Sequence, residues 1–441
     1  MTFGSGPARP GSAAQPGSFP SGRAGGVDGA DAVFAFLDPV ESLRPALQAM
    51  RDHLGRNHLF LAIGEQQALA SPIRERRLAT FARDAQGRWR FKRIYLSYQP
   101  EGPLPRSGFR GHTFFYTPKR GELLDAPFPA DPGLPSAGRV VDGMEHAAAA
   151  GGAPVEVLRY VPMRRLTLRG RCDAAGPGPD IVKVVEGKDA GPIAARIAAV
   201  SDAATWAGAS FRVARVKECR AERGVFVQEC LPGRPLAGEI GPDALEAPLR
   251  RIGAIHAEIH ALHAAGPHVG ALKDPWPTVV ERLDWLAFVR PAHAEIFRAV
   301  AARLEAARPA PGEPVFCHGD FRCTQILADG GNWSVIDFDD AGYGDASLDV
   351  GRFLAFLKYD VPALAGSPEL LEQAAAAYLD GYAGRAGRVP ASGTLRWHRT
   401  SQEVLYLAQL VRRDLADEAA FAAGCAELDR LSAGLRPGET R

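Results

Sequence analysis

Residues 318–325, in the order His-Gly-Asp-Phe-Arg-Cys-Thr-Gln, place a carboxylate, a guanidinium and an amide close together in the chain. Asp320 is a candidate base, and Gln325 follows it by five residues. A second acidic residue, Asp337, ends an apolar run that follows a Gly-rich turn at 329–332. Transfer of a phosphoryl group requires a carboxylate beside the attacking hydroxyl and hard oxygen ligands for Mg²⁺. These residues therefore predict phosphoryl transfer, with Asp320 as base and with Gln325 and Asp337 as metal ligands.

An apolar run farther upstream carries one lysine in its middle. Lys183 is preceded by Ile181 and Val182 and followed by Val184 and Val185. An amine on such a strand matches the lysine that holds the α- and β-phosphates of ATP in protein kinases. A lysine at the edge of a sheet usually faces water, but apolar neighbours on both sides favour a phosphate-binding role for this one.

The elements that must position these groups fall into two blocks. Short strand-like runs surround Lys183, and one apolar helix, at about 191–205, is inserted before the last of them. This order predicts a small antiparallel sheet with a helix packed on it. The runs lie at 155–160, 165–169, 181–185 and 225–230.

From about residue 240 the pattern becomes helical, with two short strand-like runs at 315–317 and 333–338 beside the carboxylates. Ser367 followed by Pro368 predicts a helix N-terminus, with Ser367 as N-cap. The sequence thus predicts a small β lobe, a larger helical lobe and a cleft between them. The predicted helices cover 250–263, 279–286, 292–307, 348–357, 368–383, 395–414 and 418–435.

The N-terminal third shows no motif that carries chemistry. Residues 1–30 are rich in Gly, Pro, Ser and Ala and predict a disordered tail, whereas 31–139 predict a small α+β or mainly β appendage. Within the appendage, one or two helices are predicted at 31–56, and a turn at 84–87 predicts a hairpin. The Pro- and Gly-rich stretch 127–139 predicts a linker. The predicted strands are 58–63, 76–82, 89–96 and 112–116.

Composition excludes several classes of function. The chain has 52 Lys and Arg against 51 Asp and Glu, so no global field favours nucleic acid or an anionic membrane. No window approaches the ~18 apolar residues of a membrane span. Six cysteines follow no zinc-binding spacing and are predicted to be reduced. A cytoplasmic location is the default expectation, and the composition leaves the oligomeric state undetermined.

Taken together, the motifs resemble the aminoglycoside phosphotransferase and choline kinase-like superfamily over about residues 155–437. The resemblance rests on 318–325, on Ile-Asp-Phe-Asp at 336–339 and on the helix start that contains Asp349. It implies a bilobal protein-kinase-like α+β fold with an extra N-terminal α+β appendage. It also implies ATP and Mg²⁺ as cofactors and a small-molecule hydroxyl acceptor as partner.

The resemblance further divides the chain and assigns the nucleotide site. The N-terminal lobe with its hinge is expected at 150–237 and the helical lobe at 238–437. In the hinge, backbone groups of Gln228, Glu229 and Cys230 are expected to hold adenine. Arg322, two residues after the base, is placed to neutralise the transferring phosphoryl group, the alternative being a solvated arginine.

Three departures from the family pattern accompany the resemblance. Gln325 replaces the usual Asn, and no Gly-rich loop connects the first two strands, so Arg164 or Arg165 is expected to supply charge to the phosphates. The helix at 191–205 has no Glu to pair with Lys183. The nearby acids Glu186, Asp189 and Asp202 remain alternative partners.

Several further residues have two interpretations. For His318 a structural role is favoured over that of a proton shuttle. For Asp349 the favoured role is to anchor the catalytic loop. Asp339 is either a neighbour of the metal or a loop residue. The spacing of His256, His260 and His263 on one helix is compatible with metal binding, but packing is favoured. The aromatic residues Tyr343, Tyr378, Tyr382 and Trp397 either line a pocket or belong to the core.

Two other functions stay open at this point. The departures are compatible with a pseudokinase, in which a nucleotide binds without useful turnover. Alternatively, residues 31–139, which weakly resemble the N-terminal cap of maltokinases, form a recognition module that the kinase part serves.

Overall fold

The computed structural model describes residues 73–83, 86–87, 89–100, 102–103, 112–117, 122–149, 154–172, 178–413 and 418–436. The predicted N-terminal tail, the helices predicted at 31–56 and the strand predicted at 58–63 lie outside these residues. The described chain forms a bilobal protein-kinase-like α+β fold, with a four-stranded sheet ahead of the two lobes. The predicted fold class is confirmed.

Most strands coincide with the predicted strand-like runs. They are β1 Ile73–Arg83, β2 Trp89–Pro100, β3 Gly102–Pro103, β4 His112–Thr117, β5 Glu122–Pro127, β6 Glu156–Val161, β7 Arg165–Gly170, β8 Asp180–Val185, β9 Arg212–Val213, β10 Val216–Arg220, β11 Val225–Glu229, β12 Arg234–Pro235, β13 Pro314–Cys317, β14 Ile326–Asp329, β15 Asn332–Val335 and β16 Gly342–Asp345.

The helices of the C-terminal lobe also coincide with the predicted ones. Ser367 caps its helix as predicted, because its side chain accepts a hydrogen bond from the Leu370 N–H. Among the described helices, none combines the length and the apolar character needed to cross a membrane. The helices are α1 Ala137–Ala149, α2 Gly187–Trp206, α3 Glu246–His260, α4 Trp276–Val289, α5 Ala294–Ala306, α6 Ala346–Asp360, α7 Pro368–Ala386, α8 Ser392–Arg413 and α9 Glu418–Ala433.

The N-terminal lobe is built on an antiparallel sheet in the order β10-β11-β8-β7-β6-β3. Helix α2 packs on the face that carries Val185 and Phe226, and α1 packs on the face that carries Val182 and Val184. Because β8 is covered on both faces, its sequence is apolar at successive positions rather than at alternating ones. Lys183 is the exception, and its side chain is buried between its apolar neighbours.

Helix α1 was missed by the sequence analysis, and the stretch that predicted a linker is packed into the N-terminal lobe. Phe128 and Leu134 are buried in the same cluster as the strands of the lobe. Asp131 fixes the turn that precedes α1, since it accepts hydrogen bonds from the Tyr160 hydroxyl and the Met163 N–H. The α1 segment is therefore a structural layer of the sheet.

Two apolar clusters contain the helices of the C-terminal lobe, and the first of them extends to α2 in the N-terminal lobe. The first contains α3, α6 and α7, and the second contains α4, α5, α8 and α9. Helices α3 and α7 cross at glycines, because a Cβ on Gly253 would lie 2.0 Å from the Tyr378 carbonyl oxygen. Tyr378, Tyr382 and Trp397 are all buried, in agreement with their interpretation as core residues.

The N-terminal appendage contains an antiparallel sheet in the order β1-β2-β4-β5. The predicted hairpin is present, with Arg83 opposite Trp89. Strand β3 follows β2 in the chain but lies outside this sheet. It pairs with β6 of the N-terminal lobe, with Gly102 opposite Val157. The chain therefore connects the appendage to the edge of the kinase-like sheet.

Candidate active site

The catalytic loop begins where β13 ends, and a buried carboxylate from α6 anchors its backbone. Asp349, which is fully buried, accepts hydrogen bonds from the His318 N–H at 2.6 Å and the Gly319 N–H at 3.0 Å. His318 is also fully buried, and its Nε2 lies 3.0 Å from the Ile336 carbonyl oxygen. These contacts agree with the predicted anchoring role of Asp349 and the structural role of His318.

Gly319 allows the loop to approach the second carboxylate motif. Its φ is +83°, and a Cβ there would lie 2.3 Å from the Asp340 carbonyl oxygen. A side chain at this position would therefore both strain the backbone and separate the two loops. The short hairpin of β14 and β15 also holds the two loops close together, because the Ile336 N–H donates to the Gln325 carbonyl at 3.0 Å.

The carboxylate of Asp320 is held at both oxygens. Gln325 Nε2 donates to one oxygen at 3.1 Å, and Arg352 Nη1 donates to the other at 3.2 Å. The side chain of Asp320 is one-third exposed, so an acceptor can reach it. The Gln325 Oε1 atom is buried and has no hydrogen-bond partner among the described residues. A buried oxygen without a donor is suited to bind a cation.

Two basic side chains from the N-terminal lobe converge on the second carboxylate motif. Lys183 Nζ lies 2.7 Å from Asp337 Oδ1 and 2.6 Å from Asp339 Oδ1. Arg165 Nη1 lies 2.9 Å from Asp339 Oδ2 and 3.3 Å from Asp337 Oδ1. The structure thus brings together the predicted residues Lys183, Arg165 and Asp337, and it adds Asp339 to the cluster.

Electrostatics keep Lys183 and Asp337 charged despite their burial, whereas burial and the neighbouring Asp337 raise the pKa of Asp339. Burial alone would lower the pKa of Lys183, but the carboxylates of Asp339 and Asp337 raise it above its usual value. Burial likewise opposes ionisation of Asp337, but Lys183 and Arg165 hold the pKa of this carboxyl below its ordinary value. Asp337 is therefore ionised at neutral pH, as a metal ligand must be.

Lys183 does not pair with an acid of α2, which answers the question that the sequence left open. Among the described residues its partners are Asp337 and Asp339. Helix α2 instead contributes Arg196, which donates to the main-chain oxygens of Asp339 and His268. The helix that carries a glutamate in protein kinases thus carries an arginine that holds the loop backbone here.

Arg322 does not reach the carboxylate of Asp320. Its Nε donates to Asp360 at 3.1 Å, and its guanidinium lies over the ring of Phe356 at 4.1 Å. The arginine that contacts Asp320 is Arg352, which the sequence analysis missed. Its position three residues after Asp349 on α6 was the available signal, because residues three apart share one face of a helix.

The predicted hinge overlaps the end of β11, since Gln228 and Glu229 are its last two residues and Cys230 follows it. Gln228 is buried and pairs across the sheet with Ile181 and Val216. The N–H of Glu229 already donates to the Arg215 carbonyl at 2.9 Å. Cys230, after the last strand residue, is partly buried. The hinge thus has fewer free backbone groups than the sequence implied, because the N–H of Glu229 is used within the sheet.

A cavity of about 830 Å³ opens beside the catalytic loop, between the N-terminal half of α2 and the helices of the C-terminal lobe. It contains charges of both signs and is open to small polar molecules. Its polar lining includes Arg164, Arg196, Lys273, Asp340, Arg352 and Gln402.

Beneath the catalytic loop, two buried histidines face Asp349. His256 Nδ1 lies 2.6 Å from the Tyr378 hydroxyl, and its Nε2 lies 3.3 Å from Asp349. His260 contacts the Tyr382 hydroxyl in the same way, at 2.7 Å. The third histidine, His263, lies beyond the end of α3 and is exposed, so the three do not form one cluster. Packing beneath the loop is the interpretation that these contacts support.

His256 makes stability depend on pH. Burial lowers the pKa of His256 to about 3, whereas an unfolded histidine has a pKa of about 6.5. Between these values the unfolded chain binds the proton and the folded chain does not. Stability from this residue is therefore present above pH 6.5 and is lost as pH falls, by about 1.4 kcal/mol per pH unit. We expect His256→Gln to remove this contribution from the slope of the free energy of unfolding against pH.

The measurement is urea unfolding of the wild type and His256→Gln between pH 4.5 and 7. Asp349 contributes little to the slope there, since its lowered pKa keeps it ionised in the folded state and an unfolded Asp titrates at about 3.9. Ile255→Val, a buried substitution on the same helix that costs about 1 kcal/mol, is the matched control. Equal slopes for the wild type and His256→Gln would contradict a neutral buried His256.

The two lobes, the converging carboxylates and the cations on the strands form the arrangement expected of a phosphotransferase. Residues 174–388 match the model of the phosphotransferase enzyme family (APH). The resemblance predicted from the motifs is thereby confirmed. The matched range contains every predicted site residue except Arg165 and its alternative Arg164, which precede it.

Several solved structures are similar to the chain at low identity. An amicoumacin kinase in complex with AMP-PNP, Ca²⁺ and Ami has 16% identity and a TM-score of 0.49, over 63% of this chain and 88% of that one. A thermostable mutant of an aminoglycoside phosphotransferase, in a ternary complex with ADP and hygromycin B, has 16% identity and a TM-score of 0.49, over 66% and 99%. A choline/ethanolamine kinase family protein from Mesorhizobium loti has 18% identity and a TM-score of 0.42, over 65% and 90%. The comparison with curated proteins returned no match.

Proposed function

We propose that this protein transfers the γ-phosphoryl group of ATP to a hydroxyl group of a small polar acceptor, with Mg²⁺ as cofactor. The observation that carries the proposal is the arrangement around Asp320. A partly exposed carboxylate is fixed at both oxygens and lies beside a buried amide oxygen that has no donor. This arrangement fits a base that orients a hydroxyl and removes its proton beside a metal ion.

The residues present fit a magnesium ion. Mg²⁺ prefers oxygen ligands and is usually bound by one or two carboxylates together with phosphate oxygens. Asp337 supplies an ionised carboxylate, and Gln325 supplies its free Oε1. When bound, the ion neutralises charge that develops on the phosphates. Gln325 has a second role, because its amide nitrogen also holds Asp320.

The nucleotide contacts follow from the N-terminal lobe. Lys183 and Arg165 already lie at the carboxylate cluster and are positioned to exchange a carboxylate contact for a phosphate contact. Arg165 begins β7, directly after the turn that replaces a Gly-rich loop. We assign adenine to the hinge at Gln228, Glu229 and Cys230, where carbonyl groups must contribute because the Glu229 N–H is used by Arg215.

The acceptor is assigned to the cavity beside the catalytic loop. Its wall includes residues of α6 and α8, the two helices of the C-terminal lobe that pack on each other beside the catalytic loop. Arg322, predicted to contact the phosphoryl group, would have to leave Asp360 to do so. Sugars, aminoglycosides or other antibiotics, and amino alcohols are all candidate acceptors. Hygromycin B and amicoumacin are named for the structurally similar proteins only.

The test is ATP consumption by the purified protein with and without Mg²⁺, in the presence of pooled sugars, aminoglycosides, amino alcohols or nucleosides. Acceptor-stimulated turnover supports the proposal and identifies the acceptor class. ATP binding without stimulated turnover in any pool would favour the pseudokinase. Absence of ATP binding would contradict the assignment of the nucleotide site.

Gln325 provides a specific test of the metal site. Gln325→Leu removes the free oxygen, so we expect the Mg²⁺ concentration for half-maximal turnover to rise on the order of tenfold. Gln325→Asn, which restores the amide usual in the family, should stay within about threefold of the wild type. The measurement is a magnesium titration of ADP formation, and Gln373→Leu on the exposed face of α7 is the control. An unchanged Mg²⁺ requirement in Gln325→Leu would remove this residue from the metal site.

A further inference from the structure

Arg352 contacts the catalytic loop at two points and is itself held from a second helix. Its Nη1 donates to the Gly319 carbonyl and lies 3.2 Å from Asp320 Oδ1. Its Nε donates to Gln402 Oε1 at 3.1 Å. Arg352 belongs to α6 and Gln402 to α8, so the guanidinium bridges the two helices and the loop.

The same helix therefore holds both sides of the loop backbone. Asp349, one turn earlier on α6, accepts the N–H groups of His318 and Gly319, whereas Arg352 donates to the Gly319 carbonyl and to the side chain of Asp320. The first contact fixes where the loop lies. The second contact, together with Gln325 Nε2 at the other oxygen, fixes how the carboxylate of Asp320 is turned.

The contact by which α8 supports Arg352 is buried. Gln402 is 1% exposed, its Oε1 accepts from Arg352, and its Nε2 has no partner among the described residues. Both Gln402 and Arg352 line the cavity beside the catalytic loop. A solvent-exposed ion pair contributes little to stability, but Arg352 is only 21% exposed and is held by three partners. Such a charge-assisted contact is directional.

We propose that Arg352 is a positioning residue for Asp320 and that Gln402 fixes Arg352 in the orientation this requires. The inference rests on the proposed role of Asp320 as base. A base must be held within a fraction of an ångström of its productive geometry, and misplacement by about 1 Å can cost on the order of 100-fold in rate. Arg352 and Gln402 thus connect the wall of the acceptor cavity to the orientation of the base.

The test uses magnesium-dependent ADP formation by the full chain, with water as acceptor, and compares six variants with the wild type. Asp320→Asn sets the rate without the base. Arg352→Ala removes the guanidinium, and added guanidinium chloride at low millimolar concentration replaces it. Gln402→Leu removes the support, and Gln402→Glu retains an oxygen for the Arg352 Nε. Arg352→Lys keeps the positive charge but lacks the planar guanidinium group. Arg303→Lys, at an exposed ion pair with Asp429, is the matched control.

We expect Arg352→Ala to lower kcat about 30- to 100-fold with the KM for ATP within twofold, and added guanidinium to recover at least fivefold. Arg352→Lys should recover little, because an ammonium cannot hold three partners in a plane. Gln402→Leu should lower kcat about fivefold and Gln402→Glu less than twofold. The control should match the wild type.

Other results would contradict the proposal. A kcat for Arg352→Ala within twofold of the wild type would overturn the positioning role. Loss of activity with a parallel rise in the KM for ATP and no recovery by guanidinium would overturn it in favour of a purely structural contact. If Asp320→Asn turns over ATP as fast as the wild type, the proposed base fails and the role of Arg352 fails with it. Failure at Arg352 alone leaves the base intact.

Discussion

Asp320→Asn will lower kcat for acceptor phosphorylation by about 10³-fold while leaving the affinity for ATP within about threefold. The amide keeps the size of the side chain and one oxygen, so Arg352 Nη1 still has an acceptor. What is lost is a group that can take the proton of the hydroxyl in the transition state. Removal of a general base typically costs 10²- to 10⁴-fold in rate, whereas the nucleotide contacts at Lys183 and the hinge are unchanged.

The measurement is ADP formation with the acceptor pool that stimulates the wild type, together with ATP binding by calorimetry. Asp329→Asn makes the same chemical change at the exposed turn of the β14–β15 hairpin and should leave both quantities unchanged. Retention of more than a tenth of the wild-type kcat by Asp320→Asn would contradict the role of base. A parallel loss of ATP binding would mean that the substitution disturbs the loop rather than the chemistry.

Much of this site could be predicted because its parts are local in the sequence. The spacing from Asp320 to Gln325 is set by one short 3₁₀ turn, and the distance to Asp337 is set by one tight hairpin. Lys183 was recognisable because a single lysine interrupts an apolar strand. The helices of the C-terminal lobe were predicted because each buries a continuous apolar face, which leaves a strong 3.6-residue pattern.

Contacts between distant segments could not be predicted in the same way. Lys183 and Asp337 are 154 positions apart, and no local pattern indicates that the lysine pairs with two carboxylates rather than with an acid on α2. Arg352 and Gln402 are 50 positions apart and meet only because α6 packs on α8. The same limitation explains Arg322, whose partner Asp360 lies at the far end of α6.

Helix α1 was missed for a different reason. Prolines and glycines are frequent in the segment before it, and they mark turns wherever they occur. In this segment the irregular chain is fixed by the carboxylate of Asp131, which binds Tyr160 from β6 and the backbone of the following turn. A buried side chain that organises a loop has no periodic signature, so composition alone predicted a linker.

Lys183→Met will destabilise the fold as well as weaken ATP binding. Lys183 is 7% exposed at its side chain and pairs with Asp337 and Asp339 within 2.7 Å. Removing one partner of a buried ion pair leaves an uncompensated charge and costs about 3–5 kcal/mol. Arg165 remains as a second cation, so we expect the lower end of this range. Arg220→Met, which breaks an exposed pair with Glu218 in the same sheet, should leave the free energy of unfolding close to that of the wild type.

A second substitution separates stability from nucleotide binding. Asp339→Asn removes one of the two carboxylates that pair with Lys183, so the double variant Lys183→Met/Asp339→Asn should recover about 2 kcal/mol in urea unfolding relative to Lys183→Met. ATP affinity should not recover, because the amine that contacts the phosphates is still absent. Full recovery of ATP binding in the double variant would show that Lys183 acts only by compensating Asp339. Recovery of stability alone would support both roles of Lys183, as the counterion of the carboxylates and as a ligand of the nucleotide.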